Sequence, residues 1–88
     1  MEGVVFGVQI LAKSTGRISI HDLANSYKID TKIIEDHSNG LYRYVAGWFG
    51  SFDEASRYAR ILRNKGIYDA FVVAYRNGQR ISLSTVMH

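Results

Sequence analysis

The sequence predicts an α+β domain in which two helices cover one face of a four-stranded antiparallel sheet. Three observations carry this. The stretch from Leu41 to Gly66 changes its period: Leu41 to Phe49 alternates as an aromatic-rich strand, and Phe52 to Asn64 repeats near 3.6 residues. Asn39-Gly40 and Asn77-Gly78 mark tight reversals, since Asn and Gly tolerate positive φ. Strand-like and helix-like runs follow one another in the order β-α-β-β-α-β, the pattern of a split βαβ, ferredoxin-like arrangement.

Val4 to Leu11 (VVFGVQIL) is the first strand, rich in Val and Ile. Val4, Phe6, Val8 and Ile10 share one face, and Val5, Gly7, Gln9 and Leu11 the other. Two largely apolar faces suit a central strand. Gln9 is the odd residue on its face. It is either a polar group turned to solvent on an uncovered sheet or a hydrogen-bonding group of a binding surface. Lys13 to Arg17 is a turn. Ser19 then caps a helix of about two turns, with Ile20, Leu23, Ala24 and Tyr27 as its apolar stripe. Lys32 to Asp36 or His37 is a short second strand, and the turn through Asn39-Gly40 leads into the third, Leu41 to Phe49.

Alternation places Leu41, Arg43, Val45 and Gly47 on one face of the third strand and Tyr42, Tyr44, Ala46 and Trp48 on the other. Ser51, with Glu54 three residues on, is a capping box. Asp53 and Glu54 suit the start of the helix dipole, and Arg63 and Lys65 suit its end. Phe52, Ala55, Tyr58 or Ala59, and Leu62 form its buried stripe, and Gly66 ends it. Tyr68 to Tyr75 is the fourth strand. Residues 80–86 alternate and form either a short edge strand or a tail. The whole, 1–88, reads as one domain with its core at about 4–75.

The composition narrows function more by exclusion than by assignment. With 88 residues and 47% hydrophobic content the chain supports one small core. Its net charge of +3 (11 Lys+Arg against 8 Asp+Glu) mildly favours anionic partners. The absence of cysteine excludes disulfides and thiolate metal sites. No apolar run approaches the ~20 residues that span a bilayer, and Met1 to Ile10 lacks the pattern of a signal peptide. The histidines, His21, His37 and His88, have no metal-ligand spacing. The carboxylate pairs Asp53/Glu54 and Glu35/Asp36 are sequential neighbours, explained by capping and by strand alternation. No nucleophile elbow or phosphate-cradling glycine loop is present, so neither an enzyme nor a cofactor site is expected. Tyr42, Tyr44 and Trp48 evoke the base-stacking strands of RNA-binding folds. The matching strand consensus is missing, and these residues read as core against the helices, which leaves nucleic acid the weaker partner class.

The motifs taken together carry a resemblance. Phe6-Gly7-Val8-Gln9-Ile10 resembles the V-Q-x opening strand of the sporulation-related repeat, the SPOR domain of bacterial division and envelope proteins. Asn39 to Phe49 is similar to its G-x-x-R-V-x-x-G-P-F strand. Ser51-Phe52-Asp53-Glu54-Ala55 is similar to its S-x-x-E-A helix start, and Gly66 to Val73 to its closing G-x-x-A-F-V. The match runs in order over most of residues 5–75. The chain departs from the pattern with Leu41 where an aromatic is common, Ala12 where a small hydroxyl residue is expected, Lys13 where an aromatic is common, and Trp48 where Pro is frequent.

This resemblance implies a βαββαβ domain whose open sheet face binds peptidoglycan glycan strands stripped of their stem peptides, in the bacterial periplasm or cell envelope at division sites. Gln9 and Arg43 match the family's groove residues. The expected ligand-binding set is then Gln9 and Arg43 for hydrogen bonds, with Leu41, Val45 and Val5 for apolar contact. Val73 and Tyr75 join it if they share that face. The alternative is a protein–protein or self-association module of the same fold, through the apolar patch around Leu41 and Val45 or through residues 80–86 as a homodimer edge.

Overall fold

The computed structural model describes residues 3–86. The elements are β1 (Val4–Lys13), α1 (Ile20–Tyr27), β2 (Ile33–Ser38), β3 (Leu41–Phe49), α2 (Phe52–Asn64), β4 (Phe71–Arg76), β5 (Gln79–Ile81) and α3 (Leu83–Val86). All pairings are antiparallel and the sheet order is β2-β3-β1-β4-β5, with β1 at the centre. The α+β class and the β-α-β-β-α-β order stand. The expected four strands are corrected to five, because the Asn77-Gly78 reversal is tight enough to bring residues 79–81 back onto β4. Both central residues of that reversal have positive φ. The rest of the C-terminal segment forms the short α3, whose Val86 is buried in the main core.

The main core lies between the helices and one face of the sheet. Val4, Phe6, Val8 and Ile10 of β1 meet Tyr44 and Ala46 of β3, Val72 and Ala74 of β4, and Ala55, Ala59 and Leu62 of α2. Burying a Val or Leu side chain fully is worth about 1.5–3 kcal/mol, so this layer supplies most of the driving force for folding. The caps of α2 are as its residues require. Ser51 Oγ accepts from the Glu54 amide at 3.2 Å, and the amides of Gly66 and Ile67 donate to the carbonyls of Arg63 and Leu62. Two returning bonds with Gly66 at φ +112° close a Schellman motif.

The shorter α1 has one buried residue, Leu23, and depends on outside support. The amide of Ile18, just before its Ser19 cap, donates to the Tyr44 hydroxyl at 2.9 Å. That hydroxyl donates to Glu35 at 2.8 Å, and Arg17 grips the same carboxylate at 2.9 and 3.1 Å. The turn before α1 is thereby tied to β2 and β3. The fourth strand begins later than alternation suggested, at Phe71. Tyr68 lies in a turn with 84% of its surface exposed.

Two irregularities between β1 and β3 decide which side chains reach the other face of the sheet. Phe6 faces Phe49 and Val8 faces Ala46, so three steps along β3 match two along β1. The extra residue is accommodated at Gly47, where φ is +72°. A Cβ at that position would come within 2.7 Å of the Phe49 ring, so glycine is needed for space as well as for conformation. Farther along, Gln9 faces Val45 and Leu11 faces Tyr44, which places the second extra residue on β1.

Strict alternation therefore misplaces three residues. Trp48, expected in the core, lies on the open face with Val45, while Phe49 packs inward and its ring centroid is 5.4 Å from that of Tyr58. Leu11, expected beside Gln9, packs against the main core.

Candidate functional site

The uncovered face of the sheet carries its own small apolar cluster. Val45, Val73 and Tyr75 are buried there, with Ile34 and Trp48 packed around them. Gly7 lies beneath. A Cβ on it would approach Val45 Cγ1 to 2.6 Å and the Gly47 carbonyl to 3.0 Å, so the absent side chain lets the β3 side chains Val45 and Trp48 close over the central strand. Trp48 meets Tyr75 edge-on, with ring centroids 5.2 Å apart at 70°. Together they bridge β3 and β4 across the central strand.

A groove runs over this cluster. One part, of about 420 Å³, is lined by Val5, Lys32, Ile34, Asp36, Trp48 and Tyr75, together with Gly78 of the turn between β4 and β5. The other, of about 480 Å³, is lined by Asp36, Asn39, Arg43, Gly78, Gln79 and Arg80. Asp36 and Gly78 line both parts, so the two are continuous. One wall is the β2–β3 hairpin and the other is the β4–β5 hairpin. Among the described residues no set of His, Asp or Glu side chains is grouped to hold a metal ion.

The five residues expected at the site occupy different depths of this face. Val5 is 40% exposed and lines the apolar part of the groove. Arg43, opposite Asp36 in the β2–β3 register, lines the polar part. Val45 is fully buried under Trp48 and its neighbours, so it supports the floor from beneath. Leu41 is half-buried at the hairpin end of β3, paired with Ser38 and away from both parts of the groove. Gln9 is 8% exposed, and its Oε1 accepts a hydrogen bond from Arg80 Nη1. Val73 and Tyr75 do share the face, and Tyr75 reaches the groove while Val73 stays under it.

Several groove residues had no place in the expected set. Trp48 was hidden by alternation, and its signal was Gly47, since a glycine inside a strand pattern marks a bulge. Arg80 was hidden because residues 80–86 could be either strand or tail. Its guanidinium carbon is 6.0 Å from the centroid of the Phe71 ring, a residue that is 44% exposed. Asp36 was set aside as an alternating strand residue. It acts on the Tyr75 hydroxyl, which is buried and has no partner in hydrogen-bonding geometry among the described residues. Burial first, and then the nearby Asp36 carboxylate, raise that hydroxyl above the usual tyrosine pKa. It stays a neutral donor throughout the physiological range.

The uncovered sheet face thus combines aromatic side chains along its groove with polar walls, the kind of concave surface at which ligands bind in general. No family model and no curated protein matches the chain. A solved structure does. The chain is similar to the peptidoglycan binding domain of the B. subtilis cell wall lytic enzyme CwlC. The two share 26% sequence identity with a TM-score of 0.60, and the match covers 85% of this chain and 94% of the other. The neighbour is a binding domain of a lytic enzyme, and the likeness extends over nearly its whole length.

Proposed function

We propose that this domain binds the glycan strands of peptidoglycan in the groove of the open sheet face and performs no chemistry on them. The observation that carries the proposal is the groove itself, an aromatic-floored and polar-walled channel on the uncovered face of a fold shared with a peptidoglycan binding domain. Sugar rings offer apolar C–H faces and a rim of hydroxyl and acetamide groups. Trp48 and Val5 supply surface for the first, and Arg43 and Asp36 supply donors and acceptors for the second. Gln9 acts by holding Arg80 in place, and Val45 by holding the floor. Leu41 extends the apolar surface toward the hairpin end. The order of the motifs from Phe6 to Val73 further supports a SPOR-like domain acting in the bacterial cell envelope, with stem-peptide-free glycan as its ligand.

Co-sedimentation with purified peptidoglycan, before and after amidase treatment, tests this. The wild-type domain is expected in the pellet, with more bound after treatment. Arg43→Ala combined with Gln9→Ala should reduce binding roughly tenfold or more, as expected when hydrogen bonds to charged or buried groups are lost. A wild-type domain that stays in the supernatant sinks the proposal.

A further inference from the structure

Tyr75 carries a polar atom for which the free domain has no use. Its side chain is buried, and among the described residues its hydroxyl has no hydrogen-bond partner. A buried hydroxyl left without a partner destabilises a fold, so it calls for an explanation, and a group supplied from outside the chain is one. Tyr75 itself lines the apolar part of the groove, whereas Asp36 and Arg80, which act on its hydroxyl, line the polar part. The hydroxyl therefore lies at the junction of the two parts, which Asp36 and Gly78 share. Three kinds of surface converge there. The Tyr75 hydroxyl is a neutral donor, the Asp36 carboxylate is an acceptor, and Val5, Ile34 and Trp48 are apolar neighbours in the same concavity.

We infer that this junction reads the N-acetyl group of a bound amino sugar: the Tyr75 hydroxyl donates to the acetamide carbonyl, Asp36 accepts its N–H, and its methyl packs among Val5, Ile34 and Trp48. This rests on the glycan-binding proposal above and names the substituent that the groove selects. An acetamide has one acceptor, one donor and one methyl group, and the junction offers the complement of each. A ring hydroxyl could use the polar groups but would leave the apolar surface in contact with water. A free amine has no acceptor for the Tyr75 hydroxyl. Asp36 is half-buried beside that hydroxyl, and turning its carboxylate toward the incoming N–H uncovers the donor. The hydroxyl thus gains in the complex the partner that it lacks in the free domain. The domain would then separate acetylated strands from de-N-acetylated ones.

The test titrates the whole chain with solubilised glycan strands and follows the emission of Trp48 and the amide NMR shifts. Three ligands are compared: native strands, the same strands after chemical removal of their N-acetyl groups, and those strands acetylated again. The wild type is expected to bind native and re-acetylated strands roughly tenfold or more tightly than de-N-acetylated ones, from the lost hydrogen bonds and methyl contact. The exposed amines also bring positive charge, so the comparison is repeated at high salt, where a purely electrostatic gap closes and the expected one persists. Tyr75→Phe removes only the hydroxyl. It should leave the melting temperature unchanged or raised, because no partner is lost in the free domain, and yet weaken binding to native strands about fivefold. Equal binding of acetylated and de-N-acetylated strands, or a gap that closes with salt, overturns the acetamide inference and leaves glycan binding standing. Binding to none of the strands overturns both. A Tyr75→Phe variant that is destabilised, or that binds native strands as tightly as the wild type, overturns the role of the hydroxyl.

Discussion

Tyr44 shows how much a single side chain can organise. Its ring is fully buried in the main core, and its hydroxyl accepts from the Ile18 amide and donates to Glu35. Tyr44→Phe keeps the ring and strands the Ile18 amide, so it should cost about 1–3 kcal/mol in chemical denaturation. A variant as stable as the wild type would mean that water replaces the hydroxyl at no cost. The carboxylate beyond it gives a pH signature. The hydrogen bond from Arg17, then that from Tyr44, hold Glu35 below its ordinary pKa of 4.5. A folded-state pKa below the unfolded one means that the contribution is complete above about pH 4.5 and is lost as pH falls through the folded value. The Arg17 side chain is 69% exposed, so the effect is small and screened by salt. Melting temperature measured from pH 6 to pH 3 should fall less steeply in Glu35→Gln than in the wild type. Parallel profiles would remove Glu35 from the account.

At the level of single elements, the bulge at Gly47 matters most. It turns Trp48 from the core to the open face and turns Phe49 inward in its place. Gly47→Val meets both the positive φ and the Phe49 ring, and should cost about 1–3 kcal/mol or more. Because Trp48 is the only tryptophan, its emission reports on the same change, and an altered spectrum in the folded variant is expected. Unchanged stability and emission would show that β3 tolerates the bulge without glycine. This strand also shows where sequence patterning reaches and where it stops. A period near two identified β3, a period near 3.6 identified α2, and Ser51, Glu54 and Gly66 marked the helix ends, because these are local preferences written in neighbouring residues. The face of Trp48 depends on how β3 registers against β1, a long-range match that no local period contains. The late start of β4 has a similar origin. Tyr68 is β-prone in isolation, but the Schellman closure of α2 uses the Ile67 amide, and the chain is still turning at Tyr68.

Across the whole molecule, two layers divide the work. The helices and one sheet face make the core, and the other face remains uncovered between the β2–β3 and β4–β5 hairpins that wall its groove. The sequence located this uncovered face through Gln9 and Arg43, polar residues in otherwise apolar strands. It could not show that Gln9 is covered and bound to Arg80, since 71 residues separate the two. Nor could it show that Val45 lies beneath the surface it was expected to form. The C-terminal segment also belongs to the fold. Val86 is 6% exposed and part of the main core, so Val86→Ala should cost about 1–2 kcal/mol in chemical denaturation. A neutral result would detach α3 from the domain.

The central claim is that the open face, and not the helical one, meets the glycan. The most direct measurement is a two-dimensional amide NMR titration of the labelled domain with amidase-treated, solubilised glycan strands, read also at the Trp48 indole. Binding in the groove predicts progressive shifts at Val5, Arg43, Trp48, Tyr75, Gly78 and Arg80, with Arg57, Arg60 and the exposed face of α2 unchanged. Shifts confined to α2, or none at saturating glycan, would contradict it.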